Sequence, residues 1–451
     1  MMEPILHYII LLGLLVSISA LIRGRVRAVK YFSLGVMFYV LGYSLYSLTF
    51  MNFVINFIIA LVTVLTIILT LEIIRIETPL RGYEYMACTA LPISLGLILH
   101  IGTGIEELIL LITFLAVATL TLTVLVAARG LSGHIGAGVR YLIFSGIGKA
   151  LMIIGIAVSL SIHVTIGIAL ILAGFAMELG LFPFHGWVPD TFARGSPFGI
   201  ALLGLYSKVI SIIVLTKILL IIAKPAIYNI ENMIALGLCI ATISIIGMYF
   251  GNIAGLTART IGRVLAYSTI SHVAYAYAAV AVAILGMVLN LWSEVVYPAL
   301  AIAIYELFAT GLAKLGSFSP FSNLENSEIR IDVPRAYISK TGAYSAVVLM
   351  LSLLGVPPLI GFWPKLFLFL VCVRLMVTPY WLVGLVIAIS LAVNSAISAI
   401  YYARLIKAYL AMIRKRCIGE VVTLISMLLV VILGIVIPIQ LLNWLQQLIL
   451  I

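Results

Sequence analysis

Residues 174–208 read GFAMELGLFPFHGWVPDTFARGSPFGIALLGLYSK and bring three proton-exchanging groups into strongly apolar surroundings: the carboxyl of Glu178, the imidazole of His185 and the amine of Lys208. Pro183, Pro189 and Pro197 interrupt the same stretch. An ionisable side chain at membrane depth is costly, so it marks an ion or substrate path by default. A helix broken there by Pro and Gly is tolerated where protein or a water-filled cavity takes up the freed backbone groups. The two features coincide, which points to movement of charge across a membrane. Lys149, His272, Glu306, Lys314 and Lys365 also lie within long apolar windows. Amine, imidazole and acid together suit proton exchange: removing an ammonium from water favours its neutral form, and imidazole titrates near neutrality.

The elements that must position these groups are membrane helices. Of 451 residues, 64% are apolar and 9% charged, with a mean hydropathy of +1.29. A soluble domain carries roughly 25% charged residues. Window after window exceeds the ~20 apolar residues that cross a bilayer. The runs are continuous rather than alternating, which excludes a β-barrel. The net charge of +11 does not indicate nucleic acid, because the basic residues sit in alternate loops. The first apolar stretch is followed by RGRVRAVK, which predicts a retained helix and not a cleaved leader. Cys88, Cys239, Cys372 and Cys417 are scattered without CxxC or CxH spacing, so no disulfide, metal or cluster is expected.

Hydropathy predicts an all-α polytopic membrane protein of about 14 transmembrane helices: roughly 5–22, 31–50, 53–74, 85–100, 106–128, 141–161, 164–182, 199–223, 232–254, 263–289, 293–316, 341–371, 379–403 and 421–447. Positive charge collects in the odd loops: Arg23, Arg25, Arg27 and Lys30, then Arg75 and Arg81, Arg129 and Arg140, Arg194, and Arg259 and Arg263. Later come Arg330, Arg335 and Lys340, and finally Arg404, Lys407, Arg414, Lys415 and Arg416. The even loops hold little beyond Lys224 and Arg374. By the positive-inside rule the basic loops face the cytoplasm and both termini lie outside, in the cell membrane of a prokaryote.

Two segments are broken alike: LFPFHGWVPD after the seventh span and GVPPLIGFWPK inside the twelfth. Proline removes a backbone donor and clashes with the preceding turn, so each interrupts its helix. They lie five spans apart, so the second runs in the opposite sense, the pattern of two inverted five-helix repeats with an ion site near each break. The alternative is a chance match between two Pro-containing helices. The predicted division is an N-terminal three-helix segment (1–84), a first repeat (85–223), a second repeat (232–411) and a C-terminal helix (421–451).

Three blocks then resemble a known family: PFHGWVPD (183–190) with Lys208 beyond it, RVLAYSTISHVAY (263–275) and LSLLGVPPLIGFWPKLFLF (351–369). They resemble the antiporter-like membrane subunits of complex I, proton-pumping NADH:quinone oxidoreductase, shared with Mrp-type cation/proton antiporters and membrane-bound hydrogenases. The spacing to Lys208 looks most like the quinone-proximal subunit N type. The resemblance covers about residues 105–411. It implies a file of buried lysines, histidines and acids across the bilayer midplane, linked by water. It implies that Lys208 is the eighth-helix lysine, His272 the relay histidine and Lys365 the lysine at the twelfth-helix break.

The chain also departs from the family. The resemblance calls for a seventh-helix lysine where Glu178 stands, paired with a fifth-helix glutamate. LITFLAVATLTLTVLVA (111–127) contains no acid. The eleventh-helix lysine position is Ala309 within YELFATGLA, with Glu306 and Lys314 nearby, eight apart and so on roughly one helical face. Lys149 lies mid-span in LIFSGIGKALMIIG. A charge-swapped Lys149–Glu178 pair is expected, since opposite buried charges tolerate each other better than either alone. In the alternative, Glu178 is protonated and Lys149 reaches a cytoplasmic cavity.

Blander roles are weighed for each residue. Lys208 could serve a structural salt bridge, and His272 could be satisfied by Ser271 or Tyr267. Lys217, near a helix end, is expected to snorkel, and Trp187 to anchor at the interface. His7, His100, His134 and His163 are expected to be bland, and Tyr401 and Tyr402 to pack helices.

The expected function is a proton- or sodium-translocating, antiporter-like subunit of a complex I-like redox-driven assembly, using Lys149, Glu178, Lys208, His272, Glu306, Lys314 and Lys365. The chain holds no expected site for nicotinamide, flavin, iron–sulfur cluster or metal, so the redox step falls to partner membrane and peripheral subunits. The alternatives are a subunit of an Mrp-type antiporter and a degenerate structural spacer.

Overall fold

The computed structural model describes residues 2–21, 26–48, 53–74, 82–226, 230–334, 337–413, 420–436 and 438–450. Arg23, Arg25, Arg75, Arg81, Arg335, Arg414, Lys415, Arg416 and Cys417 lie outside them, as do the side chains of Arg129 and Lys224. Among the described residues the chain is largely α-helical. In order the helices are α1 (Met2–Leu21), α2 (Val26–Ser47), α3 (Phe53–Ile74), α4 (Gly82–His100), α5 (Leu108–Val126), α6 (Ser132–Ser161), α7 (Val164–Leu179), α8 (Trp187–Arg194) and α9 (Pro197–Ala226). Then follow α10 (Ile230–Thr257), α11 (Ile261–Val288), α12 (Tyr297–Phe318), α13 (Lys340–Leu354), α14 (Phe362–Met376), α15 (Trp381–Ala411), α16 (Glu420–Val436) and α17 (Pro438–Leu450).

Each predicted span overlaps helix among the described residues, yet the count of 14 is not established. Among the described residues nine helices are long and apolar enough to cross a membrane, or up to ten if a bent pair counts as one span. Hydropathy measures apolar length and does not see where a helix stops. α7, α13 and α14 have 16, 15 and 15 residues, fewer than the ~20 a crossing needs. The predicted last span is two helices, α16 and α17.

A helix that is apolar all round belongs inside a bundle. α9, α11 and α12 fit this: they are buried along nearly their whole described length, whereas α2, α6, α10 and α15 leave an apolar face exposed. α12 packs against α9, α11, α13, α14, α16 and α17. The interior helices carry Lys208, His272, Glu306 and Lys314.

Both breaks have one local design. α7 ends where Gly180 takes φ 77°, and the N–H groups of Gly180 and Leu181 both reach Ala176 O, at 2.9 and 2.8 Å. α13 ends where Gly355 takes φ 92°, and the N–H groups of Gly355 and Val356 reach Leu351 O, at 3.1 and 3.0 Å. The left-handed residue turns the chain out of the helix and leaves the last carbonyls facing inward. The chain restarts as helix at Trp187 and at Phe362, with Pro189 and Pro364 in the first turn, where proline is tolerated. The two segments share one spacing: Gly180, Pro183, Gly186 and Pro189 against Gly355, Pro358, Gly361 and Pro364.

α6 and α7 approach through glycine. A Cβ on Gly148 would stand 2.7 Å from Gly174 O, and one on Gly174 would stand 2.5 Å from Gly148 O. Small residues let membrane helices meet backbone to backbone, which brings the next residue, Lys149, within reach of α7.

Gly180 is the most restrictive of these positions. A Cβ there would meet Val188 Cγ2 at 2.2 Å as well as the left-handed backbone. Gly180→Ala is expected to cost at least about 1–2 kcal/mol, read as a lower unfolding midpoint of the detergent-purified protein.

Candidate functional site

Lys149 of α6 donates to Glu178 Oε2 of α7 at 2.7 Å, and both side chains are buried. α5 completes the site without an acid. Thr119 Oγ1 accepts from Lys149 Nζ at 2.7 Å and lies 3.0 Å from Glu178 Oε1. Tyr141 of α6 donates to the same carboxyl oxygen at 3.3 Å. Three donors thus converge on one carboxyl group. The pair expected across the sixth and seventh spans is present as an ion pair.

Lys208 of α9 donates at 2.6 Å to Leu179 O, the last carbonyl of α7. Its ammonium stands 5.2 Å from the centre of the Trp187 ring. Trp187 is not an interfacial anchor: it is buried, and its Nε1–H donates to Met177 O at 3.0 Å. His185 is half-buried against Phe182 and Phe250, with ring centroids 5.4 and 4.2 Å away. Lys314 of α12 donates to Thr269 Oγ1 of α11 at 2.5 Å.

One helical turn or more along α12, Glu306 bonds His272 Nδ1 at 2.6 Å. The other imidazole nitrogen lies 3.1 Å from Tyr402 Oη, which is 2.7 Å from Ser268 Oγ. The partners of His272 are therefore Glu306 and Tyr402, and not Ser271 or Tyr267 as in the blander alternative. Neighbours in sequence on α11 are not its neighbours across the helix interface. Lys365 of α14 donates to Leu353 O and Leu354 O, at 3.1 and 2.8 Å, and lies 5.5 Å from the Tyr275 ring centre. Asn252 joins Tyr275, Asn394 and Tyr401 by hydrogen bonds of 3.2, 2.9 and 2.8 Å.

The charged series lies on helices packed in turn, Glu178 on α7, Lys208 on α9, Lys314 and Glu306 on α12 and Lys365 on α14. Lys217 stands apart from it. It does not snorkel: it is buried and donates to Ile98 O, Leu99 O and Ile101 O, capping the end of α4. His134 is buried too, bonded to Ala128 O and Glu325 O. Outside the series, Asp190 bonds Arg140 and Arg263, and Glu328 lies 3.5 Å from Arg263 and 3.6 Å from Arg194. Among the described residues no group of three His, Cys, Asp or Glu side chains could hold a metal ion.

Thr119, Tyr141, Asn252, Asn394 and Tyr402 belong to the site and were not singled out in the sequence for it. The two asparagines carried a signal, because an amide inside an apolar span requires a partner. Thr119 carried none: a threonine in a helix is satisfied by its own i−4 carbonyl, and Thr119 also bonds Leu115 O at 3.0 Å.

Lys149→Met or Glu178→Gln alone leaves a buried charge unpaired and is expected to cost about 3–5 kcal/mol. Exchanging both, Lys149→Glu with Glu178→Lys, should recover most of that loss. Thermal unfolding in detergent reads the comparison, and a double exchange no better than the single changes would sink the pair.

The family model for the NADH:quinone oxidoreductase/Mrp antiporter transmembrane region matches residues 158–392. A relative, NADH-quinone oxidoreductase subunit N 2 of Acidobacterium capsulatum, is 29% identical over 321 residues, covering 65% of this chain and 62% of the relative. The chain spans less than two thirds of the length of the subunit N relatives it matches first. In respiratory complex I from Thermus thermophilus with bound aureothin, one chain shares the fold with a TM-score of 0.74 at 19% identity, covering 97% of this chain and 98% of that one. A chain of the Mrp complex from Dietzia sp. DQ12-45-1b does so with a TM-score of 0.75 at 14% identity, covering 99% and 96%. With more than half its length matched by the family model, this multi-pass membrane chain belongs to the NADH:quinone oxidoreductase/Mrp antiporter family.

Proposed function

We propose that this chain translocates protons as an antiporter-like membrane subunit of a complex I-like, redox-driven assembly. The observation that carries the proposal is a buried charged series on helices packed in turn, Glu178 on α7, Lys208 on α9, Lys314 and Glu306 on α12 and Lys365 on α14, with Lys149 paired to Glu178 at one end. Acids and amines alternate along much of it, so a change of protonation at one member alters the field at the next. The His272–Glu306 bond of 2.6 Å supplies a relay step: once protonated on both nitrogens, His272 donates Nε2–H to Tyr402 Oη and passes its Nδ1 proton to the Glu306 carboxylate, leaving a neutral imidazole, and the reverse shift resets the pair. Lys208 and Lys365 serve as the exchange sites of two half-channels, in residues 85–223 and 232–411, built as inverted repeats around the two breaks.

The redox chemistry belongs to partner subunits in this proposal, and the chain sits among other membrane subunits in the cell membrane of a prokaryote. The likeness to an Mrp complex chain supports a second reading, in which an ion gradient supplies the driving force. The two differ in what starts transport: electron transfer in one, a sodium or proton gradient alone in the other.

The test is redox-driven proton uptake by the assembled complex in liposomes. Lys208→Ala and Lys365→Ala are each expected to assemble normally and to lower uptake by at least about tenfold. Unchanged uptake in assembled variants would show the subunit to be a scaffold whose buried charges are structural. Uptake driven by a sodium gradient without electron transfer would favour the Mrp-type role.

A further inference from the structure

The two breaks share a sequence pattern but are fastened differently. In the first, the Trp187 indole ties the break to its own helix through Met177 O, 3.0 Å away. In the second, the indole stands one place later, at Trp363, and donates to Gly434 O of α16 at 2.8 Å. The backbone of the second break reaches the same helix, where Ile360 N–H donates to Val430 O at 3.2 Å. Gly434 permits this approach. A Cβ there would stand 2.4 Å from Pro358 O and 2.6 Å from Ile360 N, backbone atoms that cannot swing aside.

The other end of α16 is also tied. Glu420 accepts from the N–H of Ser339, the N-cap of α13, at 2.7 Å. Glu72 of α3 accepts from the N–H groups of Val421 and Val422 at 3.1 and 3.4 Å. Thr423 donates to Gly316 O of α12 at 2.9 Å. α16 thus holds α13 at its start and holds the segment that follows its end.

Lys365 needs both halves of the broken helix in place. Its backbone belongs to α14, while the carbonyls that receive its ammonium, Leu353 O and Leu354 O, close α13. We propose that α16 is a strap that positions Lys365, with Gly434 and Trp363 as positioning residues that fix the break against it. The functional consequence rests on the exchange role assigned to Lys365 above. At Lys208 the indole instead closes the break within α7 and α8, through the Trp187 bond to Met177 O.

The full chain in lipid nanodiscs, carrying isotope-labelled lysine, tests the strap through its Nζ resonances, with Lys365→Arg identifying the Lys365 signal and Lys208→Arg that of Lys208. Gly434→Ala and Trp363→Phe are expected to shift the Lys365 signal and leave the Lys208 signal in place. Ile432→Ala, on the half-exposed outer face of α16 at 50% exposure, should move neither. If Gly434→Ala does not fold, Trp363→Phe carries the test, because it removes the indole N–H and adds no bulk. An unmoved Lys365 signal in the folded variants overturns the strap, as does an equal shift at Lys208. The same variants, in the assembled complex, should lose proton uptake several-fold. A shifted Lys365 signal with full uptake would leave the strap standing and remove Lys365 from the transport path.

Discussion

An ammonium inside a membrane protein must find acceptors, because the hydrocarbon around the bundle offers none. This chain meets that constraint largely by ending helices early. Lys208 is received by the last carbonyl of α7 and Lys365 by the last two of α13. Lys217 is received in the same way at the end of α4. A helix C-terminus carries partial negative charge, so such a seat stabilises the cation without a full counter-charge. It also tolerates loss of the proton, because no buried carboxylate is then stranded. Carbonyl-seated lysines are therefore the members of the series best suited to exchange.

Lys149 and Glu178 obey the opposite logic. Each is the direct partner of the other at 2.7 Å, with Thr119 and Tyr141 filling the remaining positions around the carboxyl group. Neutralising one member would strand its partner in a buried site, which is the costly outcome for an ion pair. In the proposed transport path the pair thus serves as a fixed source of field more than as a carrier. The absence of an acid in α5 is offset by a change of helix: the cation comes from α6 and the anion from α7, over a glycine contact that lets the backbones touch.

How much of this was legible in the sequence depended on whether a residue's constraint was local. Proline and glycine act on their own backbone, and both breaks lie where Pro183, Pro189, Pro358 and Pro364 put them. The Lys149–Glu178 pair followed from the need of two mid-span charges for each other. The partners of His272 depend instead on which helix lies across from α11, and helical periodicity along one chain segment does not hold that information. Lys217 and Trp187 were misplaced for a related reason. Length from the helix end suggested an interface, while the fold turns the end of α4 towards one and the end of α7 towards the other. The count of about 14 spans is not established, because helices as short as α7, α13 and α14 do not reach a full crossing length on their own.

The second break adds a constraint that no local pattern reveals. Its glycines and prolines repeat those of the first, yet its indole is displaced by one residue and reaches a different helix. Residues 420–436 contribute no member to the charged series, but they bond to the start of α13, to the segment after its end and, through Glu72, to α3. Removing α16 would leave every charge of the series in the chain. It would also free one half of a broken helix from the other, and with it the carbonyls that receive Lys365. A charged site in a membrane protein is therefore bounded by the backbone that holds its acceptors, and for Lys365 that boundary includes a helix that contributes no member to the charged series.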